Sequence, residues 1–406
     1  MRALSEGVPL YPVYALLFAD AGLSTAQVSS LFVIWSVVAF AAEVPSGALA
    51  DVWSRKRLYA IGEALTAAGY ALWLLWPSYP GFALGFVLWG LGGSLGSGAL
   101  EALVYDALDA KDAYARIIGR AETVSILAML AATLLATPGL HAGGYALLVA
   151  ASVAVKLAGA LLALRLPEKR LSPNRPHPAA PPPAQPAPPP AQPAPPPDQT
   201  ALPPAALPPA HPSVPPPAHP ALESDISEMS YWRVLRDGVR QAVGTRVVAR
   251  AVLVAALVPG FSALDEYLPL LARDKGALTQ AVPLLFALTA LAMAAGSALA
   301  GRGRGLPGAL IGAAVLLAAG ALTPYLAGMV AVSAAFGLLQ YAMIRAEARL
   351  QDRITGPART TVLSVAGFAG EVFAVTLYLG FAVDLPLAVL FALAGIPLLI
   401  TALLAA

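Results

Sequence analysis

The chain has 406 residues, of which 58% are hydrophobic and only 12% charged. A soluble domain carries about 25% charged residues, so most of this chain belongs in lipid. A net charge of +2 and the absence of cysteine exclude a nucleic-acid-binding surface, a disulfide framework and thiolate metal sites, while three of the four histidines fall in a proline tract (His177, His211, His219) and leave no metal cluster and no implied cofactor.

A membrane span needs about 20 apolar residues. Twelve such runs are predicted, at 6–22, 26–48, 58–77, 81–105, 117–137, 143–165, 247–270, 278–300, 306–325, 328–349, 359–380 and 384–405. The first is short, with Glu6 inside it and its uninterrupted apolar part beginning at Gly7. It follows Arg2 without a small-residue cleavage site, which argues against a cleaved signal peptide.

Spans two and three are joined by a tight basic turn. Gly47-Ala-Leu-Ala-Asp51 is followed by Val-Trp-Ser and then by Arg55, Lys56 and Arg57. Gly47 permits a close backbone approach as the span ends, and Asp51 suits a nearby helix N-terminus. Excess Lys and Arg in a short loop places it in the cytoplasm. Over the whole chain, 22 of 25 cations fall in segments on that side, two outside (Arg273, Lys275) and one within a span (Lys156). An even number of spans with both termini in the cytoplasm, in the cell membrane, is the expected topology.

Residues 171–222 hold 23 of the 38 prolines, including a tandem Pro-Pro-Pro-Ala-Gln-Pro-Ala at 181–187 and 188–194. Such a tract is an extended tether without a packed core. After it, residues 231–250 mix Trp232, Val234, Leu235 and Val239 with Arg233, Arg236 and Arg240, the pattern of an amphipathic helix on an anionic leaflet. The expected organisation is an N-terminal bundle (1–168), a Pro/Ala-rich cytoplasmic linker (169–228), an amphipathic helix (229–246) and a C-terminal bundle (247–406). The halves echo each other: 47–55 aligns with 296–304, and Arg116-Ile-Ile-Gly119 with Arg353-Ile-Thr-Gly356.

The turn after span two resembles the loop between helices 2 and 3 of the major facilitator superfamily, Gly-x-Leu-x-Asp-(Arg/Lys)-x-Gly-Arg-(Arg/Lys). Gly47, Leu49, Asp51, Arg55 and Lys56 match, while Val52 and Ser54 depart from it. The resemblance implies an all-α integral membrane fold of twelve helices in two parallel six-helix repeats, and secondary transport of a small molecule by rocking of the halves. It also implies that Asp51 docks near Gly356–Thr360 at the start of helix 11 when the protein faces outward. Gly47, Asp51, Arg55, Lys56, Glu101, Arg116 and Arg120 form the expected conformational gate. Glu43, Glu63, Glu122 and Asp106 join it, or else are acids that snorkel to the interface.

Ionisable residues inside a span are functional candidates. Glu371, in Gly367-Phe-Ala-Gly370-Glu371, is the lone carboxyl near the middle of span eleven, able to load and release a proton. The alternative is a neutral acid bonded to a neighbouring backbone or hydroxyl group. Asp265 and Glu266 lie in the outer part of span seven. Neighbours on an α-helix point about 100° apart, so one of them is expected to face the cavity, and Arg273 is a possible salt-bridge partner. Lys156 is expected to snorkel toward the cytoplasm, the alternative being a partner for a carboxylate inside the bundle. Helices 1, 4, 7 and 10 line the cavity in the superfamily. That implies Tyr11, Tyr14, Trp89, Ser94, Ser97, Tyr267, Gln340 and Tyr341 as substrate contacts, a set suited to an amphipathic or cationic ligand.

Drug–proton antiporters of the twelve-helix type carry a Gly-Pro motif late in helix 5 and an Arg midway along helix 4. Ala136-Thr-Pro-Gly139 and Trp89 stand there instead. No Gly-x-x-x-x-Gly-Lys-(Ser/Thr) loop implies direct drive by ATP. The expected function is proton-coupled efflux of an amphipathic compound by a monomer in the lipid bilayer, with a small molecule and protons as partners. The alternatives are proton-coupled uptake and a non-transporting scaffold tethered by the linker. An enzyme is not expected, because no span holds His or Cys.

Overall fold

The computed structural model describes residues 1–97, 99, 103, 111–166, 246–301, 305–354 and 359–406. These all lie in one compact unit drawn from Met1–Glu168 and Trp232–Ala406. The Pro-rich linker, the expected amphipathic helix before residue 246 and the echo at 302–304 lie outside the described residues.

Helices and the turns between them make up the described residues, with no strand among them. The N-terminal half contains α1 (Arg2–Glu6), α2 (Tyr14–Asp20), α3 (Thr25–Val52), α4 (Arg55–Leu75), α5 (Tyr79–Gly96) and α6 (Lys111–Leu164). The C-terminal half contains α7 (Arg246–Gly260), a 3₁₀ segment (Phe261–Tyr267), α8 (Leu268–Asp274), a short 3₁₀ turn (Thr279–Ala281), α9 (Val282–Ala300), α10 (Leu306–Leu322), α11 (Gly328–Arg353), α12 (Arg359–Phe381) and α13 (Leu387–Ala405). Each predicted span has a helical counterpart. Large apolar side chains such as Leu75, Leu135, Leu161 and Leu403 are exposed on the outside of the bundle, where lipid covers them.

Serines set the starts of three helices. Ser24 and Gln27 form a reciprocal capping box at α3. Ser54 accepts from the Arg57 amide at α4, and Ser78 caps α5. Ser54 therefore caps the helix that carries the basic residues. Asp51 lies in the last turn of α3, at the negative end of that helix dipole.

Three predicted boundaries are revised. Span one is discontinuous: α1 ends at Glu6, the chain turns through Gly7–Val13, and helix resumes at Tyr14. Pro9 and Pro12 in that stretch lack backbone donors and cannot continue an α-helical ladder. Spans five and six run together as α6, divided by Gly144, whose φ of 60° and ψ of −155° suit a residue without Cβ. Span seven leaves α-helical geometry at Phe261, two residues after Pro259.

The packing repeats between halves. Span three packs on span four (α4 on α5), and span nine on ten (α10 on α11). Span two packs on four (α3 on α5), and eight on ten (α9 on α11). Across the halves, α3 packs on α12, and α6 on α9, a pair of contacts that exchange places when the halves are swapped. Glycines permit the closest crossings. A Cβ on Gly62 would lie 2.5 Å from the Gly92 carbonyl oxygen, and one on Gly69 would lie 2.6 Å from that of Gly85.

The clearest repeat is one that periodicity alone does not reveal. α2 and α8 are each seven residues long and end on Asp20 and Asp274. Gly22 (φ 93°) and Gly276 (φ 90°) then take the left-handed conformation. The Leu23 amide bonds the Phe18 carbonyl at 3.2 Å, and the Ala277 amide bonds the Ala272 carbonyl at 3.0 Å, the same helix-ending turn twice. The sequence reads Leu-Leu-x-x-Asp-x-Gly-x-x-Thr at 16–25 and again at 270–279.

Candidate functional site

Described residues line two sizeable cavities inside the bundle. The first, of about 400 Å³, lies between the halves. α3 contributes Trp35 and Ser36, α12 contributes Gly367, Gly370, Glu371 and Tyr378, and the 3₁₀ segment contributes Ser262, Asp265 and Glu266. The 3₁₀ geometry accounts for a departure from the sequence expectation. With three residues per turn, 262 stacks over 265 and 263 over 266, so two adjacent rows face the cavity and both carboxylates line it. Glu371 is thus not alone: it shares the space with Asp265 and Glu266, and no cation stands among the described lining residues.

Gly370 approaches α7 closely, since a Cβ there would lie 3.0 Å from the Ala256 carbonyl oxygen. Gly367 instead borders open space, with no described atom within 4 Å. Of the two glycines before Glu371, the first leaves room for a ligand and the second seats a helix.

Glu266 also reaches across the halves, accepting a hydrogen bond from the Tyr14 hydroxyl. Further cross-half contacts cluster at the same end of the bundle. The Tyr267 hydroxyl donates to Ser29 at 2.7 Å, Arg273 pairs with Asp20, and the Thr137 hydroxyl donates to the Gln280 carbonyl at 2.9 Å. Phe32 packs on Tyr267 and Tyr378, each at 5.4 Å between ring centroids. Arg273 therefore pairs with Asp20 and not with either carboxylate of span seven, because it sits on α8, beside the turn that follows α2. Tyr267, expected to contact substrate, is fully buried in this closure.

The opposite end of the bundle holds the basic turn. Lys56 donates to the Leu166 carbonyl at 3.2 Å, and Ser97 donates to Glu43 at 2.9 Å. Both contacts stay within the N-terminal half. Phe40 and Phe368 meet across the halves at 5.1 Å. A Cβ on Gly47 would have no described atom within 4 Å, so the close approach expected there is made with none of the described residues. Arg55 is half-buried and Arg120 exposed. Glu101, Asp106 and Gly356 lie outside the described residues, as do the side chains of Asp51, Arg116, Glu122 and Thr360.

The second cavity, of about 470 Å³, lies within the N-terminal half, between α1, α4, α5 and α6. Tyr11, Trp89 and Ser97 line it, as do Glu63 and Lys156. Lys156 does not snorkel. It is 4% exposed, pairs with Glu63 at 3.2 Å and donates to the Ser5 carbonyl at 2.8 Å. Glu63, also buried, belongs to this pair and not to the gate at the basic turn. A solvent-directed Lys would have to cross packed helices, whereas Glu63 on α4 lies beside α6.

Other expected contacts serve packing. Tyr14 and Trp89 belong to an aromatic cluster with Phe18, Tyr70, Trp73 and Phe86. The Ser94 hydroxyl bonds the Ala39 and Gly90 carbonyls at 2.8 and 3.0 Å. Gln340 and Tyr341, half-buried on α11, line neither cavity. Asp20 and Ser29 were not singled out from sequence; the repeated Asp-x-Gly turn was the signal that marks the first of them.

Solved structures of transporters share this architecture. The nucleoside transporter NupG aligns with a TM-score of 0.67 at 11% identity, over 99% of this chain and 96% of that one. An auto-inhibited peptide transporter of the POT family aligns at 0.64 and 16%, over 99% and 94%. A D-xylose–proton symporter aligns at 0.64 and 15%, again over 99% and 94%. No curated relative matches the chain in sequence. The family model of the Major Facilitator Superfamily matches residues 2–370. With its all-helical described residues, the paired packing of its halves and a family match over residues 2–370, the chain is a multi-pass membrane transporter, not an enzyme, and belongs to the major facilitator superfamily.

Proposed function

We propose that the chain is a proton-coupled secondary transporter that exports a small amphipathic cation by alternating access. The observation that carries this reading is the gathering of Asp265, Glu266 and Glu371 around one cavity between the halves, beside Trp35 and Tyr378. Carboxylates with no cation among the described lining residues attract either protons or an organic cation. The two aromatic rings offer a face to a positively charged group. Competition between proton and cation for the same carboxylates is the simplest route to exchange, since each arrival expels the other. The cation excess at the basic turn supports placing that turn and both termini in the cytoplasm of a cell-membrane protein, working as a monomer. On this orientation the contacts of Asp20, Ser29 and Glu266 close the outer side. Asp51, in the last turn of α3 at the negative end of that helix dipole, is the residue we expect to dock near Gly356–Thr360 when the inner side closes.

The test is reconstitution in liposomes under an imposed pH gradient, following internal pH while amphipathic cations, sugars and amino acids are added in turn. Proton movement opposite to that of an added organic cation is the expected result. Movement of both in the same direction indicates uptake. Silence across the panel from folded protein overturns proton coupling.

A further inference from the structure

The second cavity has a different electrical character from the first. The first presents three carboxylates; the second is lined by a buried Lys156–Glu63 pair, 4% and 6% exposed, together with Arg2 and Glu6. Its lining charges therefore balance. The pair is also incompletely satisfied. Glu63 Oε2, although 3.2 Å from the Lys156 ammonium, makes no well-formed hydrogen bond, and neither does the buried Tyr59 hydroxyl; both residues line the cavity. Their contacts with each other and with Lys156 are poorly aligned, and buried polar atoms whose hydrogen-bonding capacity is not fully used are uncommon and costly. Tyr11 and Trp89, stacked at 5.7 Å and 17°, supply an apolar wall. A volume of about 470 Å³ falls in the range of small-molecule sites.

We infer that this cavity inside the N-terminal half binds a small zwitterion, its ammonium on Glu63 Oε2 and the Tyr59 hydroxyl, its carboxylate on Lys156. The ammonium supplies a partner to both underused atoms, and the carboxylate, held by Lys156, keeps the charge balance of the cavity intact. A singly charged ammonium reaches the same two atoms but adds an uncompensated charge to a buried pair, and a lone carboxylate reaches neither of them. All the lining residues come from positions 2–156, so the site is separate from the cavity between the halves and does not depend on the proposed transport reaction.

The experiment compares γ-aminobutyrate and L-leucine with butylammonium and butyrate, which carry only one of the two charges. The readout is thermal unfolding of the purified full chain in detergent, followed by tryptophan fluorescence. At about 10 mM, at least one zwitterion raises the midpoint by about 2–4 °C, and the singly charged compounds do not. The double variant Glu63→Gln/Lys156→Met, which removes the pair without leaving a lone charge, loses the shift. Glu371→Gln keeps it, which separates this site from the carboxylate cavity. An equal shift with butylammonium or butyrate, a shift that survives in the double variant, or no shift with either zwitterion overturns the inference.

Discussion

Glu266, on the 3₁₀ segment of span seven, accepts a hydrogen bond from the hydroxyl of Tyr14 in span one, so one carboxylate lines the cavity and also joins the two halves. A hydrogen bond to a charged partner is worth about 1.5–3 kcal/mol. Tyr14→Phe keeps the ring in its aromatic cluster and removes this contact alone. We expect the halves to separate more often at that end. The chain has no cysteine, so a single Ser262→Cys in the cavity reports access directly. An impermeant maleimide added on the Asp20 side should label it about tenfold faster in the Tyr14→Phe background; unchanged labelling would show that the contact does not hold the closure.

The Arg273–Asp20 pair should matter less. Its side chains are 32% and 45% exposed, and exposed pairs contribute about 0.2–1 kcal/mol. Arg273→Ala should raise Ser262→Cys labelling by no more than about fivefold, and 1 M salt should mimic the change in the unmodified closure. A larger effect would assign this pair a dominant part in closure.

Glu371→Gln removes a titratable group and keeps the size of the side chain. In liposomes the variant should lose the pH dependence of transport. Transport with an unchanged pH profile would remove Glu371 from the coupling scheme and leave Asp265 and Glu266.

Breaking the buried pair by one residue should cost more than removing it whole. Lys156→Met strands the Glu63 charge and should destabilise the protein by about 3–5 kcal/mol, whereas Glu63→Gln/Lys156→Met should cost clearly less. Thermal midpoints of the two variants decide this, and equal midpoints would argue that the single substitution strands no charge.

Gly62→Val tests the tight crossing of α4 and α5, where an added Cβ would lie 2.5 Å from the Gly92 carbonyl oxygen. Backbone cannot move aside as a side chain can. The variant should lose at least 1–3 kcal/mol by overpacking, read as a lower midpoint and poorer recovery in detergent. Gly93→Ala, with nothing within 4 Å, is the matched control.

Spans, turns and the superfamily architecture were legible because they rest on hydropathy and on short polar signatures such as Gly47–Lys56. The candidate site was legible in part. Glu371, Asp265 and Glu266 stand out as charges at depth, but their meeting depends on a 3₁₀ segment that periodicity does not announce. Lys156 was misread for a similar reason: its partner Glu63 is 93 positions away, and only the packing of α6 against α4 brings them together. Aromatics were the weakest guide. Tyr14 and Tyr267 fill the core or the closed end, and Trp89 both packs in the aromatic cluster and borders the second cavity, because a ring that contacts ligand and a ring that packs have the same sequence signature.

The interruptions at Gly7–Val13 and Phe261–Tyr267 fall at matching places in the first span of each half, beside the side chains that join the halves. Rods that are continuous must tilt as wholes, dragging every neighbour with them. Here the two lead helices are jointed, and the joints sit beside the seam. The work of parting that end then falls on a handful of side-chain bonds near the joints, and little on the long helices behind them. A few substitutions along the seam should therefore retune the balance between the two open states without disturbing the rest of the bundle.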